Sequence, residues 1–294
     1  MKVSGVWLPI ITPFFNREID FDSYKNILDH YISKGINGLV PLGTTGEVST
    51  IDDYEYEKLV EITVEYVDNR VPLLIGAGGN YTQKVIKQIK LLEKYEVQGI
   101  LSVSPYYNRP DQNGIYEHFK CISESTELDI IIYNIPYRTG RNIENETIYR
   151  LAELQNITGI KDSCGDYKQT MELILNKPEG FSVLTGEDIQ LYSTLVLGGD
   201  GGILAAAHLQ TEDYLKIYKL ILENDHMSAL KTWRELTSII PLLFIEPNPA
   251  PVKFLLNSIG LIKSFETRLP ITPISKNLEE KLKSYLEATA FSKS

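Results

Sequence analysis

"YTQKVIKQIKLLEKYEVQGILSVSP", residues 81 to 105, contains one repeat of the pattern that runs through the whole chain. Its first part spaces apolar residues at the helical period, with Val85, Ile86, Ile89, Leu92 and Tyr95 on one face and lysines and glutamines between them. Its last part, "GILSVSP" at 99 to 105, is a short apolar run closed by proline and reads as a strand. An amphipathic helix feeding a short apolar strand is the unit from which parallel sheets are assembled.

Working outward, the same alternation recurs. Further strand candidates are "GVWLPII" (5 to 11), "GLVPLG" (38 to 43), "VPLLIGAG" (71 to 78), "DIIIYNIP" (129 to 136), "ITGIKDS" (157 to 163), "FSVLTG" (181 to 186) and "GGILAA" (201 to 206). After the last comes "TEDYLKIYKLILEND", where Leu215, Tyr218, Ile221 and Leu222 form another apolar stripe. Eight strand and helix pairs in about 225 residues predict an α/β fold of the (βα)8 TIM barrel type, for which about 250 residues is typical. A doubly wound open sheet uses the same alternation, but no long insertion or sheet-reversing break is present, which favours the barrel. The barrel is expected over residues 1–225. A C-terminal helical subdomain is expected over 226–294, from "MSALKTWRELTSIIPLLF", "PVKFLLNSIG" and "NLEEKLKSYLEAT".

The 294 residues are 43% hydrophobic with a formal net charge of -10. That content supports a large core, and the negative field opposes binding to nucleic acid or an anionic membrane. The start of the chain has only a short apolar run, broken by Pro13 and charged residues, so it reads as neither signal peptide nor span. A soluble, cytoplasmic protein is expected. The two cysteines, Cys121 and Cys164, and the four histidines show no metal-ligand spacing, and no metal or cofactor is expected.

In barrel enzymes the chemistry gathers at the carboxyl ends of the strands. Here those ends carry "GTTGE" (43 to 47), "SPYYNRP" (104 to 110), "YNIPYRTG" (133 to 140) and "KDS" (161 to 163). Lys161 is either a lysine that snorkels to water or an amine that burial keeps neutral enough to attack a ketone and form a Schiff base. Tyr133, Tyr106 and Tyr107 are packing residues with polar tips or members of a hydroxyl chain that moves protons. "GTTGE" offers a tight turn with amides and hydroxyls for a small carboxylate, though a plain strand-to-helix turn has the same composition. Arg138 is a solvated loop arginine or a two-pronged carboxylate holder. Together these residues suggest a lysine-dependent carbonyl enzyme acting on small carboxylated molecules.

"GTTGE", "SPYYNRPDQNGIYEHFK", "IIYNIPYRTG", "GIKDS", "LTGEDIQ", "LGGDGGI", "FIEPNPAPVKF" and "RLPITPI" resemble the 4-hydroxy-tetrahydrodipicolinate synthase (dihydrodipicolinate synthase) family, nearly end to end. That family lies within the pyruvate-dependent class I aldolase superfamily. The resemblance implies a lyase that condenses pyruvate with L-aspartate 4-semialdehyde in diaminopimelate and lysine biosynthesis, with no cofactor. It implies that Lys161 forms the Schiff base with pyruvate and that Tyr133 is the main proton donor and acceptor. Thr44 would link Tyr133 to a Tyr107 supplied across a subunit interface, within a homotetramer built as a dimer of dimers. Thr45 would hold the pyruvate carboxylate, Ile203 would line the pyruvate site through its backbone, and Arg138 would take the carboxylate of the aldehyde. The arginine in "YRTG" separates this reading from 2-keto-3-deoxy sugar-acid aldolases and N-acetylneuraminate lyase. A catalytically silent carboxylate-binding barrel would have no need of the full set of lysine, tyrosines and threonines.

Two segments depart from the family pattern: "KDSCGD" stands where "KEATG" is more frequent, and "ILAAAH" where "ISVTAN" is common. The effector positions of lysine-inhibited members are also altered. Asn80 and Tyr106 match, but Lys84 replaces a glutamate, and Asp53 and Tyr56 replace histidines of some regulated members. A lysine at 84 repels the ammonium of the effector, so weak or absent inhibition by L-lysine is expected.

Overall fold

A computed structural model describes residues 2–289. Eight parallel strands form the centre: β1 (Gly5–Leu8), β2 (Gly38–Leu39), β3 (Leu74–Gly76), β4 (Gly99–Val103), β5 (Asp129–Asn134), β6 (Ile157–Asp162), β7 (Ser182–Thr185) and β8 (Gly201–Ile203). Each lies within its expected run but is shorter, because the carboxyl end of each run leaves the ladder to form a loop. The order around the sheet follows the chain, with β8 pairing back onto β1. Between β2 and β3, Leu39 bridges Leu73, and the Leu39 amide donates to Pro72 O at 3.0 Å. These contacts close the sheet into a TIM barrel and exclude the open doubly wound alternative, whose strand order reverses at a switch point.

Eight helices follow the strands: α1 (Phe21–Ser33), α2 (Asp53–Val67), α3 (Thr82–Leu92), α4 (Gln112–Ser123), α5 (Asn145–Leu151), α6 (Tyr167–Asn176), α7 (Leu191–Val196) and α8 (Thr211–Leu222). Aspartates cap the entries of α1, α2, α4 and α6, accepting amide protons of the first turn that have no partner within the helix. On α3 the predicted stripe buries Val85, Ile89 and Leu92, with Ile86 and Tyr95 at its margin. On α8 the expectation is corrected. Tyr214 and Ile217 are its buried apolar residues, Leu215, Tyr218 and Ile221 flank them, and Leu222 is exposed. This helix packs against both β1 and a later helix, so its apolar surface is too broad for one stripe to mark the buried face. A short antiparallel ribbon, Phe14–Phe15 with Glu18–Ile19, was not expected from the alternation.

The strand period of two divides the core into two shells. Ile130, Ile132, Ile160 and Val183 face the helices, whereas Trp7, Leu101, Ile131, Tyr133, Leu184 and Ile203 fill the barrel interior. Trp7 needs Gly38 beside it, because a β-carbon there would lie 2.3 Å from the indole ring. After α8 come α9 (His226–Leu236), α10 (Ala250–Ser258) and α11 (Lys276–Ala288). From α10, the fully buried Lys253 forms an ion pair with the equally buried Glu47, and its Nζ lies 4.1 Å above the Phe14 ring. Arg268 grips the Glu55 carboxylate with two bonds of 2.6 Å and donates its amide to Glu47 Oε2. These contacts clamp the C-terminal segment onto the loop that follows β2.

Candidate active site

A cleft opens at the carboxyl ends of the strands. Its wall includes Thr44, Thr45, Tyr133, Arg138, Lys161 and Ile203, six of the seven residues singled out from the sequence. Register explains much of this convergence. Tyr133 on β5 lies directly beside Lys161 on β6, which in turn lies beside Leu184 on β7, and all three point into the barrel.

Lys161 is 6% exposed, and no hydrogen bond or ion pair to its Nζ is present among the described residues. Its amine sits 4.3 Å from the centre of the Tyr133 ring. Burial pulls its pKa down to about 8, against an upward pull from the carboxylates of Asp188 and Glu187. Room for the side chain depends on Gly186: a β-carbon there would lie 2.2 Å from Ser163 Oγ and 2.6 Å from Lys161 Cε. Tyr133 is itself buried, and desolvation raises its phenol well above the ordinary range, so the hydroxyl is held neutral.

The "GTTGE" turn is pinned from three sides. The Glu47 amide donates to Thr44 O at 3.0 Å, Thr12 Oγ1 donates to Gly46 O at 2.8 Å, and Glu47 is held by Lys253. Thr45 Oγ1 accepts from Asn248 Nδ2 at 2.9 Å, so a residue just before α10 reaches over the barrel to orient a cleft hydroxyl. Arg138 lies on the short turn Pro136–Thr139 after β5, its guanidinium 5.5 Å from the Tyr137 ring and free of any ion pair among the described residues. Tyr107 is the exception. It follows β4 in a left-handed conformation (φ 72°), is 90% exposed, and does not line the cleft of its own chain.

Among the cleft residues that carried no role in the sequence reading are Asp188, Asn248, Phe244 and Gly186. Asp188 and Gly186 lie just past β7, where the strand-end rule that found the other residues applies equally. Asp188 is buried, accepts the Ala206 amide at 2.7 Å, and burial raises its pKa to about 7. Phe244 and Asn248 come from beyond the barrel, and no strand-end rule reaches them.

The sequence matches the dihydrodipicolinate synthetase family over residues 2–289. The chain belongs to this family. It is 58% identical over 286 residues to 4-hydroxy-tetrahydrodipicolinate synthase 2 of Clostridium acetobutylicum, covering 97% of this chain and 100% of the relative. It is 39% identical to the 4-hydroxy-tetrahydrodipicolinate synthase of Thermotoga maritima, covering 96% and 97%. The crystal structure of dihydrodipicolinate synthase from Thermotoga maritima superposes with a TM-score of 0.95 at 38% identity, over 99% of this chain and 100% of that one. The Aquifex aeolicus enzyme superposes at 0.96 and 33% identity, over 99% of each chain. The family assignment covers the barrel and the helices after it alike, including the segment that carries Asn248 and Lys253.

Proposed function

We infer that this chain catalyses the 4-hydroxy-tetrahydrodipicolinate synthase reaction, condensing pyruvate with L-aspartate 4-semialdehyde in the cytoplasm. The observation that carries the reading is Lys161: a buried, unpaired amine at the end of β6, facing a threonine turn and an arginine in one cleft. The free base attacks C2 of pyruvate and loss of water gives the Schiff base. Removal of a C3 proton then gives the enamine that adds to the aldehyde. Thr45 and the backbone of its turn receive the pyruvate carboxylate, Ile203 lines the same site, and Arg138 takes the carboxylate of the aldehyde.

Tyr133, kept neutral by burial, passes protons to and from the adduct, and Thr44 links it to the next hydroxyl of the relay. The third member of the relay is Tyr107 of a neighbouring copy in a homotetramer arranged as a dimer of dimers. Its exposure and left-handed backbone suit a residue offered to a neighbour rather than to its own cleft. The test is borohydride trapping with pyruvate, followed by peptide mass spectrometry and rates with aspartate semialdehyde, glyceraldehyde and N-acetylmannosamine. A pyruvate adduct on Lys161 together with a marked preference for aspartate semialdehyde is expected. An adduct with preference for either sugar-derived aldehyde would replace the substrate assignment, and no adduct on folded protein would remove the Schiff-base mechanism.

A further inference from the structure

The segment after the barrel touches the threonine turn twice. Lys253 of α10 pairs with Glu47 at the end of the turn, and Asn248, just before α10, donates from Nδ2 to Thr45 Oγ1 at 2.9 Å. The second contact lies in the cleft wall, where Thr45 is 3% and Asn248 8% exposed. Among the described residues it is the only side-chain hydrogen bond of either residue, and Asn248 Oδ1 is buried with no partner. A buried carboxamide that makes a single bond carries a desolvation cost that an apolar residue would not. Reversing the amide would strand both N–H donors rather than a carbonyl, and buried N–H groups are the rarer orphans.

The direction of that bond fixes what Thr45 can do. A hydroxyl has one proton and two lone pairs, and here the amide occupies a lone pair while no group among the described residues accepts the proton. The proton is therefore free for a ligand, and a hydroxyl that already accepts a hydrogen bond is the stronger donor. We propose that Asn248 is a positioning residue for the first substrate: by donating to Thr45 it turns that hydroxyl's proton towards the carboxylate of pyruvate. The proposal rests on the reading above, in which Thr45 meets that carboxylate, and extends it to a residue 203 positions away that acts through Thr45. An oriented donor favours an anion over an uncharged keto compound, so the pair also contributes to selection of a carboxylated substrate.

The test titrates borohydride trapping on Lys161 with pyruvate and with its uncharged methyl ester, and measures steady-state rates with aspartate semialdehyde. In Asn248→Ala the half-saturating pyruvate concentration and the KM for pyruvate should rise about five- to twentyfold, with kcat falling less than about threefold. The midpoint for the methyl ester should move less than about twofold, because the ester carries no charge. Midpoints report the folded fraction alone, so partial loss of folding lowers the amplitude without moving them. Asn248→Ser, whose hydroxyl falls short of Thr45, should give the same shift. The decisive background is Thr45→Val, in which Asn248→Ala should add less than about twofold, whereas in Thr45→Ser its full effect should return. Equal shifts for pyruvate and ester, an undiminished effect in the Thr45→Val background, or no effect of Asn248→Ala at all would overturn the proposal and leave the synthase reading standing. A wild-type protein that forms no pyruvate adduct, or a Thr45→Val variant that binds pyruvate as the wild type does, would overturn the reading on which it rests.

Discussion

Lys161 and Tyr133 are register partners across the β5–β6 ladder, and the amine of the first lies 4.3 Å from the ring centre of the second. The electron-rich face of the phenol offsets part of the cost of an ammonium in this position, but not all of it. The remaining desolvation lowers the lysine pKa to about 8. Below that value the amine is protonated and unreactive, and above it the free base accumulates. The initial rate of pyruvate adduct formation, read by quenched borohydride trapping, should therefore rise with pH through about 8 and then level off. A flat profile between pH 6 and 9 would contradict this amine chemistry.

The same desolvation predicts a trade between stability and activity. The folded pKa of Lys161 is depressed, so its cost to folding is full below about pH 8 and vanishes once the unfolded lysine also deprotonates, near 10.5. Lys161→Met should abolish adduct formation and raise Tm by several degrees at pH 7, with the gain shrinking as pH rises above about 8 and nearly gone at pH 10.5. Scanning calorimetry of both proteins at the two pH values checks the sign.

Gly186→Ala should be disproportionately harmful for a single methyl. The added carbon would meet Ser163 Oγ and Lys161 Cε at 2.2 and 2.6 Å, so either the lysine or the loop must move. A displacement of about 1 Å at a reacting group costs on the order of a hundredfold, and kcat should fall by at least that much. Near-native circular dichroism with full activity would refute the packing account.

Glu47 and Lys253 are both fully buried, and their pairing joins the threonine turn to α10. Lys253→Met leaves the carboxylate unpaired and should destabilise the protein by about 3–5 kcal/mol. Adding Glu47→Leu should recover more than half of that loss, because a buried pair replaced by apolar groups is often close to neutral. Urea unfolding measures both. The KM for pyruvate should rise in each variant as the turn bearing Thr45 loses its anchor.

L-lysine at millimolar concentration should inhibit weakly or not at all. Lys84 is exposed in the first turn of α3 and carries the sign that repels the effector's ammonium. Tyr56 is buried and donates its hydroxyl proton to Gly76 O at 3.0 Å, so that proton is already committed where some relatives have histidine. Steady-state assays with added lysine decide the matter, and strong inhibition would show that an effector site persists in remodelled form.

The eight-fold alternation was readable without any structure, because helix stripes and buried strands are local periods set by neighbouring residues. Lys161, Thr44, Thr45, Tyr133 and Arg138 were equally readable, since strand ends of a barrel point to one face whatever the loops do, while Ile203 came from the family resemblance alone. Closure through Leu39 and Leu73, the buried face of α8 and the contact between Asn248 and Thr45 were not. That last pair is separated by 203 residues, and no spacing or period in a sequence encodes a contact of that range. The burial of Lys161 was settled at the same level. A lysine after an apolar run is ordinary until the barrel closes around it, takes it almost wholly out of water and leaves no room at position 186 for a β-carbon.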